Sequence, residues 1–140
     1  MQILSCKLNA HIPFDKDSIE KFLSSCEEVI NNMTSDEKTV FKLKSATHEL
    51  LINSLEHGYK KSAGNVSFLI EKHEHTIHLE VSDEGVGFDT SSLNLEKDYT
   101  SLNSIKSRGW GLFILKKLCD DVQIISEPLK GTKVTVSINY

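Results

Sequence analysis

Cysteine, proline and tryptophan are scarce in this 140-residue sequence, which contains three, two and one of them respectively. Cys6, Cys26 and Cys119 are widely spaced and form no C-x-x-C pair, so the sequence predicts neither a disulfide framework nor a zinc site. No apolar run approaches the roughly 20 residues of a membrane-spanning helix, and the N-terminus lacks the basic start and apolar core of a signal peptide. We therefore expect a protein of the reducing cytoplasm with no membrane partner.

The sequence also lacks a block of basic residues. Twenty acidic residues against sixteen basic ones give a formal net charge of −4, so a nucleic acid is not expected as a direct partner. With 39% hydrophobic and 26% charged residues, the chain has the balance of a globular protein, and its length suits one core. We expect residues 1–140 to form a single domain.

The spacing of apolar residues predicts an α+β domain. Alternation predicts strands over 4–8, 66–70, 77–81, 122–126 and 133–138, and helical spacing predicts helices over 17–31, 34–58 and 110–119. Two pairs that resemble capping boxes, Asp17 with Glu20 and Thr34 with Glu37, indicate helix starts. Because the strands alternate and are not continuously apolar, we expect one covered and one open sheet face, in a two-layer α+β sandwich.

The second predicted helix carries a first polar motif. Glu49 and Asn53 lie one turn apart and share a face, with Glu56 and His57 on either side of that line. A polar sector opposite an apolar stripe is also typical of an ordinary solvated helix surface. This motif therefore indicates a site only together with the others.

A second motif follows the strand that ends near residue 83. Asp83 enters a turn that contains Gly85 and Gly87. A carboxylate at a strand end can accept a hydrogen bond from an amino group such as that of adenine, and glycines let the backbone approach a flat ligand. An ordinary Asp-Glu-Gly turn would have the same sequence.

A third motif, Arg108-Gly-Trp-Gly111, is predicted to lead directly into a helix that starts at Leu112. The free N–H groups and positive dipole end of a helix N-terminus suit phosphate oxygens, although a simple glycine cap would explain the pattern equally well. Two familiar phosphate motifs are excluded. Thr90 stands where a dinucleotide fingerprint needs its third glycine, and the chain contains no G-x-x-x-x-G-K-[ST].

Three histidines near the predicted hairpin turn form a further cluster. His73 and His75 lie in or beside the turn, and His78 lies on the polar face of the following strand. We interpret them as solvated residues and assign no metal to them.

The motifs gain specificity from their order along the chain: E-x-x-x-N within 46–58, D-x-G-x-G within 81–89, R-G-x-G within 108–112, and Gly-Thr at 131–132. This set resembles the GHKL ATP-binding superfamily over about residues 38–140. The small size and the stretches H-E-L-L-I-N-S-L-E-H-G and R-G-W-G-L-F-I-L look most like the bacterial anti-sigma factor serine/threonine protein kinases. The resemblance implies the Bergerat, or histidine kinase-like ATPase, fold, with helices on one face of a mixed, mostly antiparallel sheet.

The resemblance also implies roles for single residues. Glu49 matches the general base, Asn53 matches the residue that binds the magnesium ion on the phosphates, and Asp83 matches the residue that binds the adenine amino group. Other implied ATP contacts are Gly85, Gly87 and Thr132 at the base, Gly109 and Gly111 at the phosphates, Arg108 near the γ-phosphate, and His57 and Leu112 without an assigned role. A lid over about 88–107 is implied, and here it contains neither proline nor glycine.

The function implied by the resemblance is that of an ATP- and magnesium-dependent protein serine/threonine kinase. It would phosphorylate a STAS-type anti-anti-sigma protein, hold a sigma factor and form a homodimer. Two alternatives stay open, a non-catalytic ATP-binding regulatory module and the ATP-binding domain of a histidine kinase system. Glu49 argues against the first, because a pure binder does not need that carboxylate. The short segment before the nucleotide-binding helix argues against a complete histidine kinase.

Overall fold

The computed structural model describes residues 2–89 and 107–140, except for the side chains of 107–110 and 112. Most of the predicted lid, residues 90–106, lies outside this part of the chain. The elements are β1 (Gln2–Ile12), α1 (Lys16–Met33), α2 (Glu37–Asn53), a π-helical turn (Ser54–Gly58), β2 (Gly64–His73), β3 (Thr76–Asp83), α3 (Ser107–Leu118), β4 (Asp121–Glu127) and β5 (Gly131–Asn139). Their types and order confirm the prediction of an α+β domain.

The described strands form one five-stranded sheet in the order β1-β2-β3-β5-β4. All four pairings are antiparallel, so the sheet is more regular than the mixed sheet that the resemblance implies. The predicted β2–β3 hairpin is present, with Phe68 opposite Val81. In the next pairing Asp83, the last residue of β3, lies opposite Thr132 of β5, which brings two of the predicted site residues together.

The helices cover one face of the sheet, as the alternating strands predict. The inward side chains of the central strands are buried, and α2 packs its apolar stripe on them. The largest fully buried side chains are Phe68, Ile70, Ile77, Leu79 and Ile138 from the sheet, and Ile30, Leu43, Leu50, Leu51, Leu55 and Leu115 from the helices and the π-helical turn. Burial of apolar surface of this kind is the main force that holds the two layers together.

Two helix starts differ from the sequence prediction. The N-cap of α1 is Asp15 and not Asp17, because the Asp15 carboxylate accepts the N–H of Ser18 at 2.7 Å. The N-cap of α2 is Asp36, whose carboxylate accepts the N–H of Thr39 at 3.0 Å. Thr34, the predicted start, is instead the C-cap of α1. In both cases an aspartate close to the predicted start is the residue that reaches the free N–H group.

The three cysteines are all free thiols. Burial raises the pKa of Cys26 to about 12 and that of Cys119 to about 11, so both are protonated near neutral pH. Within the described ranges, 2–89 and 107–140, none of the helices has the length and apolar character that crossing a membrane requires.

Candidate ATP-binding site

The C-terminal end of α2 brings Glu49 and Asn53 to one side, as their spacing predicts. Both side chains are partly buried, and both point towards the backbone of Gly111 in α3. A Cβ atom at Gly111 would lie 2.8 Å from Glu49 Oε2 and 3.4 Å from Asn53 Nδ2. The polar face of α2 is therefore not a solvated surface, because it meets one of the glycines of the third motif.

The third motif itself differs from the prediction. Helix α3 begins at Ser107, so Gly109 and Gly111 lie inside its first turns and not in front of a helix that starts at Leu112. The backbone of the first helical turn still offers N–H groups without an intrahelical acceptor. The side chains of Arg108 and Leu112 lie outside the described part of the chain.

The π-helical turn joins the first motif to the second. Gly58, its last residue, lies so close to Asp83 that a Cβ atom there would be 3.0 Å from Asp83 Oδ1. The carbonyl of Gly58 accepts the N–H of Val86 at 2.9 Å and contacts the α-carbon region of Gly85. π-Helical turns of this kind occur frequently at functional sites. Here the turn follows α2 and places its last residue, Gly58, in contact with the loop that begins at Asp83.

Asp83 is the last residue of β3, and it is 8% exposed. Its Oδ1 atom accepts the N–H of Gly85 at 2.9 Å, which fixes the direction of the carboxylate. Gly131, with a φ of 88°, packs its α-carbon against the carbonyl oxygen of Asp83. Only glycine combines that dihedral angle with so close an approach, so Gly131 lets β5 start directly beside the carboxylate.

Gly87, in the loop after Asp83, also combines a positive φ with a close backbone contact. Its φ is 64°, and its α-carbon faces the carbonyl of Glu127 at the end of β4. The N–H of Leu129, in the β4–β5 turn, donates to the carbonyl of Val86 at 2.5 Å. The D-x-G-x-G loop is thus held against the β4–β5 turn by its backbone.

Ser126 is a contributor that the sequence interpretation missed. Its hydroxyl donates to the carbonyl of Gly131 at 3.1 Å and accepts the N–H of Phe88 at 2.9 Å. The Thr132 hydroxyl lies 2.7 Å away, and since the Ser126 proton is used on Gly131, Thr132 is the donor in that pair. One serine therefore ties the Asp83 loop to the strand that carries Thr132.

Tyr59 is the second missed contributor. Its hydroxyl donates to the carbonyl of Asn65 at 2.6 Å and accepts the N–H of Glu84 at 2.7 Å. The ring packs on Gly64. Burial raises the pKa of the Tyr59 hydroxyl above its ordinary value of 10.0, so the neutral form that can donate is the one present at neutral pH. No motif in the sequence pointed to this residue, because its partners are backbone atoms.

Three of the predicted site residues, Asn53, Asp83 and Thr132, line one cleft between α2 and the sheet, whereas Glu49 does not line it. The cleft is lined by Leu50, Asn53, Ser54, Val81, Asp83, Phe88, Thr132 and Val134. Its volume is about 10 Å³, room for about one water, so its walls must separate to admit a base. Among the described lining residues, Phe88 alone lies outside the helices and strands. His57 is partly buried in the π-helical turn but is not one of the cleft residues.

The histidine cluster lies elsewhere on the sheet. The rings of His73 and His78 meet edge to face with centroids 4.8 Å apart, and His78 Nδ1 lies 2.7 Å from the Ser137 hydroxyl. A group of three metal-ligating side chains is not found in the part of the chain that the structure describes.

Comparison with known proteins identifies the family to which this chain belongs. Residues 12–138 match the family model of the histidine kinase-like ATPase domain, and the chain therefore belongs to that family. Domains of this family bind ATP. The order of motifs and the arrangement around Asp83 agree with that assignment.

Among the relatives are several proteins named anti-sigma F factor. The one from Clostridium acetobutylicum is 30% identical over 98 residues, which cover 70% of this chain and 68% of the relative. Those from Bacillus licheniformis and Shouchella clausii are 25% and 26% identical and align with 96% and 97% of this chain and with 88% and 89% of their own lengths.

A solved structure shares the fold. It contains the RsbU and RsbW domains of Rv1364c from Mycobacterium tuberculosis, and it superimposes with a TM-score of 0.60 at 17% identity. The alignment covers 95% of this chain and 32% of the other, so this chain spans about a third of that protein. At this level of identity the comparison supports the architecture alone.

Proposed function

We propose that this protein is an ATP-dependent protein serine/threonine kinase that acts as an anti-sigma factor and phosphorylates a STAS-type anti-anti-sigma protein. The observation that carries the proposal is the convergence of Glu49 and Asn53 on Gly111, next to a cleft lined by Asp83 and Thr132. At one end of this site the Asp83 carboxylate could bind the adenine of ATP. At the other end the Glu49 carboxylate could take the proton of an acceptor hydroxyl.

In this proposal Asp83 selects adenine. Gly85 holds Oδ1 by its N–H, which turns the carboxylate so that it can accept the exocyclic amino group. Leu50, Val81 and Val134 supply the apolar walls on which a flat base would pack. Thr132, whose hydroxyl donates to Ser126, retains lone pairs for a further contact.

The donor set near Gly111 fits magnesium. Asn53 supplies an amide oxygen, the hard type of ligand that magnesium prefers, and it would hold the ion together with the phosphates and water. Magnesium, when bound, neutralises the phosphate charge and aligns the transferred group. Gly109 lies in the first turn of α3, whose free N–H groups would face the phosphates, and Gly111 would let the phosphates approach the helix closely.

Glu49 is the proposed general base. It would accept the proton of the acceptor hydroxyl as the oxygen attacks the γ-phosphorus, in line with the leaving oxygen of ADP. Phosphoryl transfer needs alignment more than covalent help from the protein, so one positioned carboxylate is sufficient. A protein that only binds ATP would not need a carboxylate at this position.

The anti-sigma role and its partners rest on the named relatives, which align over nearly the whole chain. The proposed partners are a sigma factor and a STAS-type antagonist, with the protein acting as a homodimer in the cytoplasm. Within the described residues β1 is an edge strand, and its Ile3 and Leu4 are exposed, so this edge is where a second copy would pack.

Phosphotransfer is the test. The protein is incubated with labelled ATP, magnesium and purified STAS-domain proteins, and the label is expected on serine or threonine. Glu49→Gln should keep the affinity for ATP and lower transfer about a hundredfold or more, to a residual rate that can still be measured. Glu56→Gln, on the same helical segment and also partly buried, is the control that should transfer normally. Equal transfer by Glu49→Gln and the wild type would refute the role of Glu49.

Asn53→Ala tests the magnesium contact separately. We expect it to weaken ATP binding in the presence of magnesium and to change binding in EDTA little. ATP binding without transfer to any STAS protein would favour the non-catalytic module, and label on histidine would favour a histidine kinase system.

A further inference from the structure

A second concave surface lies close to Glu49, and the described residues that line it all belong to helices. We call it the outer groove. It has a volume of about 420 Å³, and its lining includes Phe41, Lys44, His48 and Glu49 of α2 and Ile114 and Leu118 of α3. Its size is in the range of binding pockets, and its described lining residues differ from those of the ATP-binding cleft.

The outer groove exposes large apolar side chains. Phe41 is 64% exposed and Ile114 is 38% exposed, although both lie on helices that bury their other faces in the core. The lining combines these apolar side chains with the polar side chains of Lys44 and His48, which is the composition of a protein interface with a polar rim. A partner of matching apolar shape would remove this surface from water.

Glu49 connects the groove to the site of chemistry. Its carboxylate lies against Gly111 beside Asn53, and the same residue lines the outer groove. ATP would occupy the ATP-binding cleft, which Asn53, Asp83 and Thr132 line. A hydroxyl held in the outer groove, which Glu49 lines, would therefore reach Glu49 while ATP is bound.

We infer that the outer groove docks the acceptor protein, with an apolar side chain of that protein seated between Phe41 and Ile114 while its serine or threonine reaches Glu49. The inference rests on the proposed kinase function. Phe41 and Glu49 are eight residues apart on one helix, which corresponds to about 12 Å along its axis. The acceptor must thus carry an apolar side chain within about 12 Å of its phosphorylated hydroxyl.

The test is to measure the steady-state kinetics of phosphoryl transfer to the STAS-domain protein that becomes labelled. Phe41→Ala and Ile114→Ala should each raise the KM for that protein about tenfold or more, because truncation of a central apolar anchor has an effect of this size. The dissociation constant for ATP should not change. Ile125→Ala is the matched control, since Ile125 is 65% exposed on β4 and lies outside the groove. It should leave the KM unchanged.

A cross-linking experiment detects the contact between the outer groove and the acceptor protein directly. p-Benzoylphenylalanine in place of Phe41 should cross-link to an apolar segment next to the phosphorylated residue, and the same probe in place of Ile125 should not. If transfer is normal in Phe41→Ala and Ile114→Ala, the inference is overturned and the kinase function stands. If the wild type binds ATP and phosphorylates no STAS protein, the kinase function fails and the inference fails with it.

Discussion

Replacement of Gly111 by alanine separates catalysis from stability at the proposed site. The new Cβ atom would lie 2.8 Å from Glu49 Oε2, and ordinary contact begins at 3.4 Å, so the carboxylate must retreat by about 0.6 Å. The obstacle is the far end of a flexible side chain, and the fold can absorb the shift at little cost. Alanine also favours the helix over glycine by about 1 kcal/mol. The free energy of unfolding should therefore be unchanged or higher.

The rate of transfer should respond in the opposite direction. A misplacement of about 1 Å at a reacting group can cost about a hundredfold in rate, so a shift of about 0.6 Å is expected to lower single-turnover transfer about tenfold. Urea unfolding followed by circular dichroism measures the stability, and rapid-quench transfer from labelled ATP measures the rate.

A double variant gives the internal control. In a Glu49→Gln background, Gly111→Ala should lower transfer no further, because the two changes act on one carboxylate. Normal transfer by Gly111→Ala would refute the placement of Glu49 against α3. Slow transfer together with lower stability would show that the helix, and not the base, had been disturbed.

Three further predictions concern the Asp83 loop. Asp83→Asn should weaken ATP binding about tenfold or more in calorimetric titration, since the amide places a donor against the adenine amino group, and Glu84→Gln should bind normally. Ser126→Ala should lower the free energy of unfolding by about 1 kcal/mol in urea titrations, because the N–H of Phe88 loses its acceptor; an unchanged value would contradict the role of that hydroxyl. Tyr59 has a raised pKa in the folded state, so its contribution to stability is fully present below pH 10 and is lost as the pH rises through the folded value. Tyr59→Phe should flatten the loss of stability above pH 10, and an equally steep loss in the variant would contradict this account.

Much of the fold could be predicted because its signals are local. The alternation in β2 and β3 predicted the hairpin, and those apolar residues are buried. Helix starts were less predictable, because several acids near Asp15 and Asp36 could cap and only their distance to a free N–H decides. The sequence prediction placed the start of α3 at Leu112, which is too late. Glycines are common at helix boundaries, so Gly109 and Gly111 were interpreted as lying before the helix, whereas they lie inside it.

The candidate site divides in the same way. Spacing along α2 showed that Glu49 and Asn53 share a face, but whether that face met water or Gly111 depended on how α3 packs. Tyr59 and Ser126 carried no signal, because their hydroxyl groups bind backbone atoms that are distant in sequence or belong to another loop.

The sequence by itself determined which segments form strands and helices, the order of the motifs and the membership of a family, because periodicity and motif spacing are properties of the chain. Only the tertiary structure decided which surfaces meet. It placed Gly58 against Asp83, Gly111 against Glu49 and Asn53, and Phe41 and Ile114 around one groove. These contacts join segments far apart along the chain, and they depend on the packing of the helix layer on the sheet, which no local pattern encodes.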